Sequence, residues 1–259
     1  MQKISAVVIT FNEERNIERC ITSLKTVTDE IIIIDSFSVD RTAEICHHMG
    51  VKFFQRKWEG YSIAKNYGNS LAANDYILSI DADEAVSDEL CNSLNDFRKT
   101  EENQDAYCFN RCTNYCGTWI KHGDWYPDIK LRLWNRTKGQ WVGEIHEEVV
   151  MQPGTTKGLL KGDLLHYSYY SLEQHLSQAN KFTDLTAKAA FEKGKKAGFF
   201  KIFLNPYFKF FKDYILKFGF LDGYQGFVVC KISAYATLLK YAKLREMYKL
   251  QQTKQAENK

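Results

Sequence analysis

The sequence predicts an α/β domain built on a mostly parallel sheet with helices on both faces, followed by a helical, aromatic and basic region. Two observations in the first hundred residues carry the first part. Apolar, β-branched runs without polar alternation recur there, separated by helical stretches, as strands of a sheet covered on both faces require. Each of three runs ends in a polar cluster: Thr10–Asn12, Asp35–Ser36 and Asp81–Asp83. A change of composition at Phe199 carries the second part: twelve Phe or Tyr residues fall between Phe199 and Phe227.

The elements follow in order. Ile4–Thr10 is a strand, and Asn12 caps a helix from Glu13 to about Lys25, with Glu13 and Glu14 in the first turn as the helix dipole prefers. Glu30–Ile34 is a strand ending at Asp35. A helix from about Asp40 to Met49, a strand over Val51–Gln55 and a helix over Tyr61–Ala73 come next. Asp75–Ile80 is a strand ending at Asp81. Beyond Gln104 the alternation stops, with short strands expected at Ala106–Asn110, Lys130–Asn135, Glu144–Val150 and Leu164–Tyr167. Ser171 to Lys196 reads as one long helix. The division expected is a domain over residues 1–170 and a helical region over 171–259.

Composition excludes several classes. A chain of 259 residues buries a sizeable core, and a formal charge of +3 gives no electrostatic case for nucleic acid. The apolar run at the start is too short for a signal-peptide core, and no stretch of about 18 uncharged apolar residues suggests a membrane span. A cytoplasmic location follows as the expectation, with the seven cysteines as thiols. Cys108, Cys112 and Cys116 are evenly spaced, but they lack the paired short spacing of a zinc site. Neither Gly-x-Gly-x-x-Gly nor Gly-x4-Gly-Lys-Ser/Thr occurs, which argues against dinucleotide oxidoreductases and P-loop kinases. From Lys201 to Lys249, nine Lys or Arg stand against three acids, so the aromatic helices suit an anionic membrane surface; a helical cap or an oligomer interface is the plainer reading.

In parallel sheets ligands bind beyond the carboxyl ends of the strands, where the three polar clusters converge. Asp81-Ala82-Asp83 sets two carboxylates one residue apart just past a buried strand, a hard-oxygen pair suited to Mg²⁺ or Mn²⁺ with positions left for phosphate oxygens. The plainer reading makes this a solvated loop whose Glu84 and Asp88 cap the next helix.

Four motifs in order, Ala6–Glu14, Ile33–Ser36 with Asp40-Arg41-Thr42, Ala64-Lys65-Asn66 and Ile80–Glu84, resemble family 2 glycosyltransferases of GT-A fold. Trp141–Glu147 and the basic aromatic tail resemble, within that family, bacterial lipopolysaccharide-core enzymes. The resemblance implies that Thr10, Asn12 and Glu13 line a nucleotide pocket and that Asp35 bonds the base. Lys65 stands where many relatives carry Arg, which implies a contact to diphosphate or base; a solvated helix residue is the plainer reading. Asp81 would face the ribose or the metal and Ala82 lie beside it along the nucleotide sugar, with Asp83 the direct metal ligand and His166 a second one. The implied donor is a nucleotide sugar, UDP-glucose foremost, and the acceptor a saccharide or glycolipid at the cytoplasmic face of the inner membrane.

Inverting transfer needs a general base for the acceptor hydroxyl and a cation for the departing diphosphate. Glu147 is the candidate base and Glu144 the alternative, on the opposite face by strand alternation. His146 can orient the base, Asp124 or Asp128 can meet the acceptor, and Trp119, Trp125 or Tyr126 can stack on its sugar rings. A metal-dependent nucleotidyltransferase also fits paired acids, but Phe11-Asn12-Glu13-Glu14 offers acid where a triphosphate loop needs glycine and basic residues. A non-catalytic membrane-surface protein on the same fold is the third reading.

Overall fold

The computed structural model describes residues 1–100, 104–143 and 147–257. The chain forms two compact units: residues 1–112 with 128–167, and residues 113–127 with 168–259.

In the first unit the chain runs β1 (Ile4–Thr10), α1 (Ile17–Leu24), β2 (Glu30–Asp35), α2 (Thr42–His48), β3 (Lys52–Gln55), α3 (Tyr61–Leu71), β4 (Tyr76–Asp81), β5 (Glu84–Val86) and α4 (Asp88–Lys99). Beyond α4 come β6 (Ala106–Tyr115), whose end passes with β7 (Thr118–Ile120) into the second unit, then β8 (Ile129–Asn135), β9 (Gly139–Val142), β10 (Glu148–Met151) and β11 (Lys157–Tyr169), whose last two residues also belong to the second unit. The strand order is β3-β2-β1-β4-β8-β6-β11-β5. Strands β3, β2, β1 and β4 pair in parallel, whereas β8 lies antiparallel to both β4 and β6, and β5 antiparallel to β11. Parallel strands need helical crossovers, and α1, α2 and α3 supply them.

Alternation along each strand sorts the apolar side chains onto two faces. Ala6, Val8, Ile31, Ile33, Leu78 and Ile80 pack with α1 and α4 through Ile17, Ile21, Leu24, Leu90, Leu94 and Phe97. Val7, Ile9, Ile32, Ile34 and Ile77 pack on the opposite side with Ala64 of α3 and with Trp134 and Trp141. Because both faces are buried, these strands read as unbroken apolar runs, which is why they were legible. Register then sets Thr10 beside Asp35, and Ile9 beside Asp81, so the polar ends lie level on neighbouring strands.

Three expectations are corrected. Asn12 does not cap the first helix, which begins at Ile17. Asn12 sits at φ 55°, in the left-handed region, and its amide oxygen accepts the Val39 N–H at 2.9 Å, so the side chain ties two loops together. Glu84 is not a helix cap: it is a buried strand residue, and Ser87 caps α4 by accepting the Leu90 N–H at 3.2 Å. Lys65 is not solvated, being 1% exposed. The strand expected over Glu144–Val150 is seen as β10 from Glu148, while Glu144 and His146 lie outside the described residues.

The second unit holds the end of β6 with β7, then α5 (Leu172–Glu192), α6 (Phe199–Phe211), a π-helical turn, a short 3-10 turn and α7 (Gly223–Glu257). Ser171 caps α5 by accepting the Gln174 N–H at 3.2 Å. Ala187, Ala190 and Leu244 join α5 to α7. The 113–127 excursion is held by Asp222, which accepts the Lys121 and His122 N–H groups at 3.1 and 2.9 Å, and by ion pairs from Asp124 to Lys209 and Lys217.

Helix α3 lies tight on the sheet because Gly68 has no side chain: a Cβ there would stand 2.4 Å from Val7 Cγ1 and 3.0 Å from Ile34 Cγ1. Gly68→Ala should therefore destabilise the protein by about 1–3 kcal/mol through overpacking, read as a lower urea midpoint with unchanged slope.

Candidate active site

The carboxyl edge of the parallel strands carries a connected set of charges. Lys65, one turn before Gly68 on α3, has its ammonium 3.1 Å from Asp81 Oδ1 and 3.4 Å from Glu147 Oε1. It also lies 4.4 Å from the centre of the Trp141 ring. Asp81 Oδ2 stands 3.3 Å from the Arg132 guanidinium, which is also 3.4 Å from Glu84 Oε1. Arg111 stands 3.6 Å from the same Glu84 oxygen and 2.8 Å from Asp128 Oδ2. The charges thus alternate along one path: Asp128, Arg111, Glu84, Arg132, Asp81, Lys65, Glu147. Arg132 on β8 and Glu84 on β5 are 5% and 1% exposed, so neither charge has bulk water as an alternative partner.

The path sets the protonation of its members. Burial alone would raise the Asp81 carboxyl, but Lys65 and Arg132 overcome it and hold Asp81 well below the usual carboxylate range. Burial also works against ionised Asp128, where Arg111 and Lys130 prevail and lower it. Glu13 shifts the other way: burial raises it, helped by the charges of Asp83 and Asp40 and only partly offset by the Asn16 amide.

Asp83, two residues past Asp81, faces His166 of β11, with Nε2 at 3.2 Å from Oδ2. Burial would lower the His166 imidazole, yet the Asp83 carboxylate raises it. Their separation is one that two cis ligands of an octahedral divalent cation span, about 3.0 Å for ligands about 2.1 Å from the ion, with one oxygen and one imidazole nitrogen as donors. Among the described residues no group of three or more His, Cys, Asp or Glu side chains is arranged to hold a metal, so a cation there needs further oxygens from solvent or a bound phosphate.

The residues expected to line a nucleotide pocket lie on the first two strand ends. Thr10 is buried, and its hydroxyl oxygen has no hydrogen-bond partner among the described residues. Asp35 is fully buried; it accepts the Ser38 hydroxyl, the Ser38 N–H at 3.0 Å and the Gln55 amide at 3.1 Å, which fixes the loop after β2. Asn12 donates its N–H to Ser38 Oγ at 2.8 Å, and Glu13 donates its own to Thr42 Oγ1 at 2.8 Å, so the two loops form one frame. Ala82 turns its methyl into the core between the two aspartates.

Four of the residues expected to meet the acceptor, Trp119, Asp124, Trp125 and Tyr126, lie in the second unit. Trp125 is stacked on Tyr169 with centroids 5.5 Å apart and set against Tyr115 and His175. Asp124 is held in its lysine pairs. Sequence reasoning missed Arg132, Arg111, Glu84, Asn66 and Trp141. Arg132 was open to notice, as a cation in the apolar strand Leu131-Arg132-Leu133-Trp134. Asn66 was quoted only as part of a motif. Its amide donates to the Trp141 carbonyl at 2.8 Å and accepts the Trp141 N–H at 3.0 Å, pinning β9 to α3 as a strand partner would.

Removing one member of a buried charge path leaves its partners uncompensated. Arg132→Met should cost about 3–5 kcal/mol of stability by stranding Glu84 and Asp81, measured by guanidinium unfolding, whereas Lys130→Met, which removes a partly exposed pair with Asp128, should cost under about 1 kcal/mol.

Comparison with known proteins bears on this edge. The family model for glycosyl transferase family 2 matches residues 5–158, a span that contains both strand-end loops, Asp81–Glu84 and Glu147. An uncharacterized glycosyltransferase of Rickettsia typhi is 35% identical, the match covering 95% of this chain and 88% of that protein. The lipopolysaccharide core biosynthesis glycosyltransferase LpsC of Rhizobium meliloti is 26% identical, over 95% of this chain and 93% of that protein. The structure of S. aureus TarS residues 1–349 aligns with 16% identity and a TM-score of 0.47, covering 96% of this chain and 92% of that one. The family match over more than half of the chain, together with a relative 35% identical along nearly its whole length, shows that the chain belongs to glycosyl transferase family 2.

Proposed function

We propose that the protein is an inverting hexosyltransferase that moves a sugar from a UDP-sugar to a hydroxyl of a saccharide or glycolipid in cell-envelope synthesis, with the lipopolysaccharide core as the setting. The observation that carries the reading is the Asp81–Lys65–Glu147 connection, which joins the expected donor end of the site to the expected base. The similarity to LpsC supports the acceptor class.

In this reading Thr10, Asn12, Glu13 and Asp35 shape the nucleoside pocket, and Asp81 and Ala82 flank the sugar-diphosphate. Asp83 and His166 would hold Mg²⁺ or Mn²⁺, which neutralises charge on the departing diphosphate. Glu147 takes the proton of the acceptor hydroxyl. The acceptor oxygen then bonds to the anomeric carbon from the face opposite the diphosphate, and the carbon–oxygen bond to the diphosphate breaks with its electron pair. Inversion follows from that direction of attack. Holding both partners in line supplies much of the rate. Asp128, at the far end of the charge path, is the proposed acceptor contact, with Glu144 and His146 as further candidates on the segment before Glu147.

We assign the second unit's aromatic helix to the cytoplasmic face of an anionic membrane. On α6, Phe199, Phe200, Phe203, Leu204, Tyr207 and Phe208 are all exposed, Phe200 by 72% and Tyr207 by 76%. Lys193, Lys195, Lys196 and Lys201, all exposed, flank it. No helix among the described residues is long and apolar enough to cross a membrane. Soluble surfaces rarely carry so many large apolar groups together, and a basic aromatic helix lying in the interface accounts for both features.

Two measurements test these assignments. Asp83→Ala should abolish the Mn²⁺-dependent part of UDP-glucose binding in calorimetry, and Glu147→Gln should leave binding within about threefold while cutting transfer at least 100-fold. Transfer by Glu147→Gln at the unmodified rate moves the base to Glu144 or Asp128. In co-sedimentation, phosphatidylglycerol vesicles should retain the protein and phosphatidylcholine vesicles should not, and replacing Phe200, Tyr207 and Phe208 together by Ser should weaken retention at least tenfold.

A further inference from the structure

Lys65 is an odd residue to bury. An ammonium at 1% exposure is costly unless its surroundings compensate it, and Lys has the most hydrated head of the cationic side chains. Its three neighbours account for the placement: Asp81 at 3.1 Å, Glu147 at 3.4 Å and the Trp141 ring face at 4.4 Å. Helix α3, which carries Lys65, packs closely on Val7 and Ile34 of the sheet at Gly68. The ring is fixed by Asn66, one residue along α3, which bonds both backbone groups of Trp141. Ser62, on the same helix, donates to the Gly143 carbonyl at 2.5 Å. Helix α3 therefore holds the segment leading towards Glu147 at two backbone points, and the Glu147 carboxylate itself through Lys65.

Resting on the assignment of Glu147 as the base, we propose that Lys65 is its positioning residue: it fixes the carboxylate by an ion pair and ties the base to Asp81, rather than serving as a ligand of the donor diphosphate. The arrangement has a chemical rationale. A glutamate on the loop before a short strand has several rotamers, and proton abstraction needs one of them within hydrogen-bond reach of the acceptor hydroxyl. Lys65 selects that rotamer through one oxygen and leaves the other free to accept the proton. Because the same ammonium touches Asp81, any shift of Asp81 on donor binding is transmitted to the base through one shared cation. The Trp141 face on the third side of the ammonium keeps it from following a single carboxylate away.

The test uses the full chain with Mn²⁺ and UDP-glucose, reading UDP release with water as acceptor, donor binding by calorimetry, and the carboxyl ¹³C resonance of Glu147, identified by its loss in Glu147→Gln. Lys65→Met should lower kcat about 10- to 100-fold while UDP-glucose affinity stays within about threefold. Lys65→Arg should restore most of kcat, since it keeps the cation. The double variant Lys65→Met/Glu147→Gln should be no slower than Glu147→Gln alone, as expected when one residue acts only through the other. The Glu147 carboxyl resonance should move in Lys65→Met and stay in place in Lys3→Met. A loss of UDP-glucose affinity matching the loss of kcat, or a double variant slower than Glu147→Gln by the full Lys65 factor, would make Lys65 a donor ligand and overturn the proposal. An unmoved Glu147 resonance would overturn it as well. If the unsubstituted protein neither binds nor turns over UDP-glucose, the donor reading fails, while the resonance still decides whether Lys65 holds Glu147.

Discussion

Burying a charge is expensive, and the first unit of this protein buries several at one sheet edge. The cost is several kcal/mol per ion even after relaxation, so each must be matched by a neighbour of opposite sign. Glu84 is the pivot. It accepts the Asp81 N–H at 2.8 Å, pairs with Arg132 and stands 3.6 Å from Arg111, while fully enclosed. That constraint fixes the turn between β4 and β5, and with it the directions in which Asp81 and Asp83 point. Asp81 faces inward to Lys65 and Arg132; Asp83 faces His166. One acid behind the pair therefore separates two carboxylates that composition alone makes equivalent.

The apolar architecture makes that polar edge possible. Strands β1, β2 and β4 are filled on both faces, so the only places where their polar ends can be solvated or bind ligands are the loops beyond Thr10, Asp35 and Asp81. Helix α3 closes one side. Its Gly68 permits contact with Val7 and Ile34, and that closeness carries Lys65 down to the level of the strand ends. Packing and electrostatics are coupled here, since a wider helix-to-sheet spacing would lift the ammonium away from Asp81.

The second unit solves a different problem. Its core is small, centred on Tyr115, Ile120 and Val229 with Trp125 and Tyr169, and on the contact of α5 with α7. Inside it, burial pushes the His175 imidazole down to about 4, so at neutral pH it is an uncharged ring among rings, bonded to the Tyr115 hydroxyl at 3.1 Å. Around that core Phe199, Phe200, Phe203, Tyr207, Phe208 and Phe211 of α6 remain exposed, whereas Ile202 is buried and Phe210 packs on Tyr214 and Phe227. So many large apolar side chains left in water on one helix indicate a surface shaped for something other than its own core.

The parallel half of the sheet and its carboxyl-edge acids were legible in the sequence, because unbroken runs such as Glu30-Ile31-Ile32-Ile33-Ile34-Asp35 encode burial on both faces and a polar end in the same seven or so residues. The pairing of Asp83 with His166 was anticipated only through resemblance, since 83 positions separate them and no local pattern connects them. The antiparallel half, the turn at Asn12 and the path from Asp128 to Glu147 were decided by tertiary structure. In each, the partner that satisfies a group lies far along the chain: Asn12 is held by Val39, Lys65 by Glu147, Arg132 by Glu84 and Asp81. Sequence determines which residues can be buried and which can carry charge. Which charges meet depends on how strands and helices stack, because a pairwise ion contact selects its partner by distance in space and not by distance along the chain.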